Sequence, residues 1–285
     1  MDPTNLELPS GSFFVPARME VSAPAPHLDD MPEAASTIAL ITGGSRGLGR
    51  NTAIHLARSG VDVVLTYHLN KDEADSAVAE IQALGRKAAA LQLDTGDVAT
   101  FDAFVSDLRE TLKSGWDRET IDYLVNNAGI GLHVPFAEAT EADFDRLTNI
   151  HFKGVFFLTQ KLLPLIPDGG KIVNLSSGLA RLSYPGASIY RSLKGAVEVL
   201  TRYLAKELGP RRIAVNAIAP GAIETDFGGG RVRDNPDINK QVAANTAMGR
   251  VGLPDDVGGA ITALLVGETG WVTGQRIEVS GGQGL

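Results

Sequence analysis

Thr42-Gly43-Gly44-Ser45-Arg46-Gly47-Leu48-Gly49 is the stretch on which the fold turns. It follows a short apolar run, Thr37 to Thr42, and leads into an amphipathic segment. That setting predicts a tight turn between a strand and a helix. Gly43 permits the turn, Gly47 lets the backbone approach a pyrophosphate, and Gly49 lets the helix lie close on the sheet. The free N–H groups at the helix start, aided by the helix dipole, then face phosphates. A Gly-rich pattern alone is a weak signal. It becomes informative behind the first strand of an alternating α/β domain.

The rest of the chain supplies that alternation. Apolar runs like the first recur at residues 61–66, 87–93, 121–125, 171–175, 213–218 and 276–279, which makes seven candidate strands. Helical periodicity fills most of the intervals, as in Ala74 to Leu84, Val98 to Leu112 and Ala187 to Leu208. Strand, helix, strand at this spacing means crossover connections and a parallel sheet. Near-continuous apolar strands fit a sheet covered on both faces. The expected architecture is a single Rossmann-type, doubly wound α/β domain over residues 36–285, with a sheet of about seven parallel strands. Residues 1–35 carry six prolines and little periodicity, and read as a poorly ordered extension or, as the other reading, a subunit-docking arm. Residues 222–250, with Gly228-Gly229-Gly230, leave a strand's C-terminal end. They are expected to form a substrate lid, the alternative being a variable surface loop.

Composition narrows the function. The 285 residues include 34 acidic and 26 basic side chains, a formal net charge of -8, which argues against a nucleic-acid partner. Cysteine is absent, so disulfides, a thiol nucleophile and thiolate metal sites are excluded. No apolar run approaches the ~20 residues of a membrane helix, and Met1-Asp2-Pro3-Thr4 lacks the basic start of a secretory signal. The chain reads as a soluble cytoplasmic protein without a membrane partner. The five histidines show no ligand spacing, so no metal is expected, and His55 and His151 read as structural.

An NAD site usually carries Asp or Glu near the end of the second strand. Here that end is Leu65-Thr66-Tyr67-His68-Leu69-Asn70-Lys71, and the nearest carboxylates, Asp72 and Glu73, fall on the next helix. With no carboxylate to repel a 2′-phosphate and Arg46 available to pair with it, NADP(H) is favoured over NAD(H).

Tyr190 and Lys194 stand one helical turn apart on one face. A free phenol has a pKa of ~10, and a neighbouring ammonium lowers it. The pair can thus exchange a proton with a carbonyl oxygen or an alcohol. Ser177, just past the strand at residues 171–175, can hold that oxygen. Ser176 competes for the role, and strand alternation lets only one of them point into the site. Asn149 is a polar residue in an apolar helical stretch, where it either satisfies a local backbone group or holds a water near Lys194.

Together these residues resemble the short-chain dehydrogenase/reductase family over roughly Thr37 to Leu285. The family's cofactor turn matches Thr42 to Gly49, its Asn-Asn-Ala-Gly motif matches Asn126-Asn127-Ala128-Gly129, and its Tyr-x-x-x-Lys matches Tyr190 and Lys194. Its Pro-Gly turn matches Pro220-Gly221, with Thr225 at the nicotinamide carboxamide or pyrophosphate, and its adenine-contacting Asp matches Asp94. Thr95 departs from the β-branched apolar residue more usual there. The resemblance implies catalysis by Asn149, Ser177, Tyr190 and Lys194. It also implies that Ser45, Leu48, Tyr67, Thr95 and Ile223 lie along the cofactor with the residues just named. Tyr190 would exchange the proton, Lys194 would lower its pKa and bind the nicotinamide ribose, Ser177 would orient the carbonyl, and Asn149 would hold a water. A homo-oligomer, tetramer or dimer, is implied as well.

The expected activity is hydride transfer between nicotinamide and a small-molecule carbonyl or secondary alcohol. A 3-oxoacyl-[acyl-carrier-protein] reductase is a specific alternative, for which Arg211 and Arg212, or Arg231 and Arg233, could form a basic docking patch. A non-catalytic dinucleotide sensor is the other, though it would need none of Ser177, Tyr190 and Lys194.

Overall fold

The computed structural model describes residues Ser36–Leu285; the extension expected over residues 1–35 lies outside them. Seven parallel strands alternate with helices, in the order β3-β2-β1-β4-β5-β6-β7. The strands are β1 (Ile38–Ile41), β2 (Asp62–Tyr67), β3 (Ala88–Gln92), β4 (Tyr123–Asn126), β5 (Lys171–Leu175), β6 (Ala214–Pro220) and β7 (Arg276–Val279). All six pairings are parallel, with Leu40 level with Val64 on one side and Leu124 on the other.

Alternation along the strands divides the core in two. Ile38 and Leu40 of β1 belong to one apolar layer and Ala39 and Ile41 to the other, and all four are fully buried. The first layer packs on α3 (Phe101–Trp116), α5 (Gly154–Leu162) and α6 (Ser188–Leu208) through Phe101, Leu108, Leu158 and Leu208. The second packs on α1 (Gly47–Arg58), α2 (Lys71–Ala83) and α9 (Pro254–Val266) through Leu56, Ile81 and Ile261. This is why the five central strands read as unbroken apolar runs: they are buried on both faces, whereas the edge strands β3 and β7 are only half-buried.

Two stretches differ from the sequence expectation. The apolar segment around Asn149 is not one regular helix. It consists of α4 (Glu141–Thr148), a π-helical turn over Asn149–Lys153, and α5, with the Gly154 N–H donating to the Asn149 carbonyl. A π-turn inserts one residue per turn and recurs at functional sites; a periodicity reading cannot register it. Residues 222–250 are also more ordered than a plain loop. They contain α7 (Arg231–Asp234) and α8 (Pro236–Ala244), the latter capped by the Asn235 side chain, which accepts from the Asp237 and Ile238 N–H groups.

The strand order reverses between β1 and β4. Chains leaving the carboxyl ends of these two strands diverge and open a crevice, the place where such sheets bind ligands.

Candidate active site

The crevice is a cleft of about 1070 Å³ running from the end of β2 to the first turns of α6. At its β1 side the glycine-rich turn is held by its neighbours. The Thr42 hydroxyl accepts from the N–H groups of Asn127 and Ala128 at 2.9 and 3.0 Å, and the Gly43 N–H donates to the Thr66 hydroxyl at 3.1 Å. Gly43 and Gly47 both take positive φ, 63° and 55°, which glycine adopts without strain. Helix α1 starts at Gly47, and the preceding Arg46 makes no side-chain cap. The first N–H groups of α1 are therefore free for phosphate oxygens.

Most of the residues expected at a cofactor line this cleft: Gly43, Ser45, Arg46, Gly47, Leu48, Tyr67, Asp94, Thr95, Ala128, Gly129, Pro220, Gly221, Ile223 and Thr225. Two do not. Gly49 is packed behind the turn, where a Cβ would come within 2.2 Å of the Gly43 carbonyl oxygen, and it lets α1 lie close. Asn126 is buried in the sheet, its amide donating to the hydroxyl of Thr159 and to Oδ1 of Asn174. Its neighbour Asn127 lines the cleft instead and donates to the carbonyls of Thr42 and Gly43. Strand alternation decides between the two, and the Asn-Asn pair in the sequence already contained the signal.

At the β2 end the cleft also holds His68 and Glu73. His68 sits 3.4 Å from a carboxylate oxygen of Asp94. One carboxylate oxygen of Glu73 is buried without a partner. Sequence order placed Glu73 on the next helix, and the first turn of α2 folds it back to the cleft.

Ser177, Tyr190, Lys194 and Asn149 all line the cleft. Both serines past β5 reach the cleft, but the Ser176 hydroxyl is spent on Glu198 at 2.6 Å. Ser177 accepts from the Leu179 N–H at 3.1 Å and keeps its own proton to donate. Asn149 opens the π-helical turn.

The electrostatics reverse one expectation. Burial, rather than the lysine charge, sets the direction in which the phenol shifts. Burial pushes the Tyr190 phenol up to about 12, and the Ser177 hydroxyl opposes this more weakly. Burial pushes the Lys194 ammonium down to about 8. The lysine Nζ lies 5.6 Å from the centre of the Tyr190 ring and donates to the Leu175 carbonyl at 2.6 Å. Desolvation disfavours both charged forms, and at this separation it outweighs their mutual attraction.

His151, expected to be structural, also reaches the site. Its buried ring stands edge-on to that of Tyr190, and its Nε2 lies 2.8 Å from the Ile130 carbonyl oxygen and 3.3 Å from the Ile130 N–H nitrogen. Burial, seconded by the nearby Lys194 charge, holds its pKa down at about 3. Phe227 also lines the cleft, its ring centre 5.7 Å from that of Tyr190. Of the four arginines that could form a docking patch for a carrier protein, two are ion-paired. Arg211 is paired with Asp168, and Arg233 with both Asp226 and Asp234.

A doubly wound sheet, a phosphate-ready turn and a Tyr-Lys pair in one cleft define a dinucleotide-dependent oxidoreductase. Comparison with known proteins agrees. A family model described as Enoyl-(Acyl carrier protein) reductase matches residues 43–283. An uncharacterized oxidoreductase of Methylorubrum extorquens is 34% identical over 245 residues, covering 86% of this chain and 96% of its own. A hydroxynaphthalene reductase-like protein of Metarhizium brunneum is 34% identical over 259 residues, covering 87% and 95%. Among solved structures, the reductase LugOII, which catalyses keto-reduction at C1 during lugdunomycin biosynthesis, superposes with a TM-score of 0.83 at 38% identity over 88% of this chain and 98% of its own. The angucycline C-6 ketoreductase LanV with bound NADP gives 0.82 at 32% identity over 87% and 96%. The chain belongs to the short-chain dehydrogenase/reductase family and is an NAD(P)-dependent enzyme of that type. Among the described residues no helix is long and apolar enough to cross a membrane.

Proposed function

We propose that the chain is a ketoreductase that prefers NADP(H), uses Tyr190 as its general acid/base, and acts on a ketone or secondary alcohol set in a planar, aromatic framework. The convergence of Ser177, Tyr190 and Lys194 in one cleft, with Arg46 at its opposite end, carries this reading. A bound nicotinamide dinucleotide would supply the hydride. Its phosphates would rest on the turn from Gly43 to Leu48 and its nicotinamide half near Lys194 and Thr225. No carboxylate stands in the strand end itself, and Arg46, without a side-chain partner among the described residues, lines the same cleft; both support a 2′-phosphate there, as do relatives whose structures hold NADP or NADPH, while Glu73 from the next helix works against it.

Tyr190, un-ionised through burial, gives its Oη proton to the substrate oxygen as negative charge grows on it. Ser177 donates to the same oxygen and orients it. The Lys194 ammonium stabilises the phenolate that remains. Asn149 holds a water that passes a proton back toward Lys194. An aromatic substrate is supported by the Phe227 ring beside Tyr190 and by the ketoreductases and hydroxynaphthalene reductase-like proteins among the relatives. Residues 222–250, which carry Phe227, serve as the lid. Phe144, Phe156, Val199 and Tyr203 are exposed on α4, α5 and α6 and suit association into a homotetramer. A cytoplasmic setting fits a reductase that draws on a soluble nicotinamide pool.

NADPH oxidation against a panel of aromatic ketones, quinones and 3-oxoacyl thioesters tests this reading, with Tyr190→Phe alongside. The wild type should favour the aromatic ketones, and the variant should lose about 10²–10⁴-fold in turnover while binding NADPH unchanged. Preference for the thioesters would move the enzyme to the acyl reductases. Turnover undiminished in Tyr190→Phe would remove the proton-transfer role.

A further inference from the structure

A second cavity, of about 600 Å³, lies between the loop after β4, the loop after β5 and the first turns of α6. Leu179 is part of its wall and of the wall of the cofactor cleft, so the two cavities adjoin. The residue after Tyr190, Arg191, brings a guanidinium to it. That group is poorly satisfied. Its Nε is buried without a hydrogen-bond partner, and its one side-chain bond among the described residues, to the Leu182 carbonyl, is long at 3.5 Å. The guanidinium carbon stands 5.4 Å over the Tyr184 ring, a cation–π contact that leaves the N–H edges free.

The surroundings favour an anion. No Asp or Glu lines the cavity, although the chain carries 34 of them against 26 Lys and Arg. Ser188 and Ser192 line it beside Arg191 and carry hydroxyl donors, and His133 and Tyr184 are its other titratable groups. Desolvation lowers the Arg191 pKa from its usual value, so the charge is held at a cost that a bound anion would relieve. Guanidinium remains charged under such conditions and matches a carboxylate with two parallel bonds. The exposed rings of Phe136 and Tyr184 form apolar sides. A desolvated cation, hydroxyl donors and aromatic walls together suit a flat molecule that ends in a carboxylate.

We propose that this cavity is an outer substrate subsite in which Arg191 binds a carboxylate carried at the far end of an aromatic substrate whose carbonyl lies at Tyr190. The subsite rests on the ketoreductase reading for its connection to turnover, but its binding can be measured alone.

The experiment titrates naphthalene-2-carboxylate, and separately the neutral 2-naphthol, into NADP-saturated protein by calorimetry. Wild type, Arg191→Met and Arg191→Lys are compared. The carboxylate should lose about tenfold or more in affinity in Arg191→Met, the scale of a lost charge-assisted hydrogen bond, and retain an intermediate value in Arg191→Lys. The neutral probe should bind all three proteins alike. Equal losses for both probes would mean that Arg191 only supports the loop, and no loss for either would leave the cavity without this role; both overturn the proposal. Displacement of the naphthoate by inorganic phosphate at comparable concentration would make phosphate the recognised group and overturn it as stated. In turnover, a ketone bearing a distal carboxylate should show a raised KM with unchanged kcat in Arg191→Met, and its neutral counterpart no change. If neither ketone is reduced by the wild type while naphthoate still binds through Arg191, the subsite stands and the ketoreductase reading falls.

Discussion

The ring of His151 stands at 85° to that of Tyr190, with their centres 5.0 Å apart. The imidazole is 1% exposed, and its Nδ1 is buried without a partner. It ties the proposed proton donor to the loop after β4, because Nε2 meets the Ile130 carbonyl and Gly129 lies against the ring. A Cβ on Gly129 would fall 2.6 Å from Cε1 of His151. Gly129→Ala should therefore destabilise the fold by about 1–3 kcal/mol, the usual range for overpacking. Urea unfolding should show a clearly smaller loss for the same change made in a His151→Ala background. Additive losses would mean that the two residues do not share this contact.

Titration of Lys194 should be visible in both activity and stability. Its ammonium is held down at about 8 by burial. For carbonyl reduction, kcat/KM should be level below that pH and fall above it, as Tyr190 loses its charged neighbour. Lys194→Met should lack this limb, and a limb that persists in the variant would belong to another group. The sign for stability is opposite. Between about 8 and the usual lysine value of 10.5 the unfolded chain holds a proton that the folded one has released, so this group's contribution rises with pH across that window. The difference in urea midpoint between wild type and Lys194→Met, followed over the window, measures it.

Arg46 faces the same cleft as Glu73, and the two should move cofactor preference in opposite directions. Arg46→Ala should weaken NADPH about tenfold and leave NADH nearly untouched, since only NADPH has the 2′-phosphate. Glu73→Gln removes a negative charge from the cleft, one of whose oxygens is buried without a partner, and should tighten NADPH relative to NADH. Fluorescence titration with both cofactors measures the ratios. Equal losses for both in Arg46→Ala would count against the NADP preference.

Gly49 has no room for a side chain, with a Cβ position 2.2 Å from the Gly43 carbonyl oxygen and 2.5 Å from the Asn127 amide nitrogen. Gly49→Ala should displace the turn as a whole. NADPH affinity and the unfolding midpoint should drop together, although Gly49 does not line the cleft. A variant that kept full affinity would show that α1 can move away from the turn without consequence.

The sequence by itself determined the alternation of strands and helices, the glycine-rich turn and the Tyr190–Lys194 spacing. Each of these depends on near neighbours: a glycine's conformational freedom, a period of 2 or 3.6, one helical turn. The apolar strands also announced a sheet covered on both faces. Only the tertiary structure decided what depends on distant segments meeting. It set Asn127 rather than Asn126 in the cleft, put the π-turn at Asn149, and committed Ser176 to Glu198. It brought His151 and Phe227, from distant segments, against one phenol. It also decided the charge state there. The spacing of Tyr190 and Lys194 argues for an acidic phenol, but the protein packed around the pair withdraws water from both groups, and desolvation grows with the number of segments that close on a site rather than with any motif within one of them.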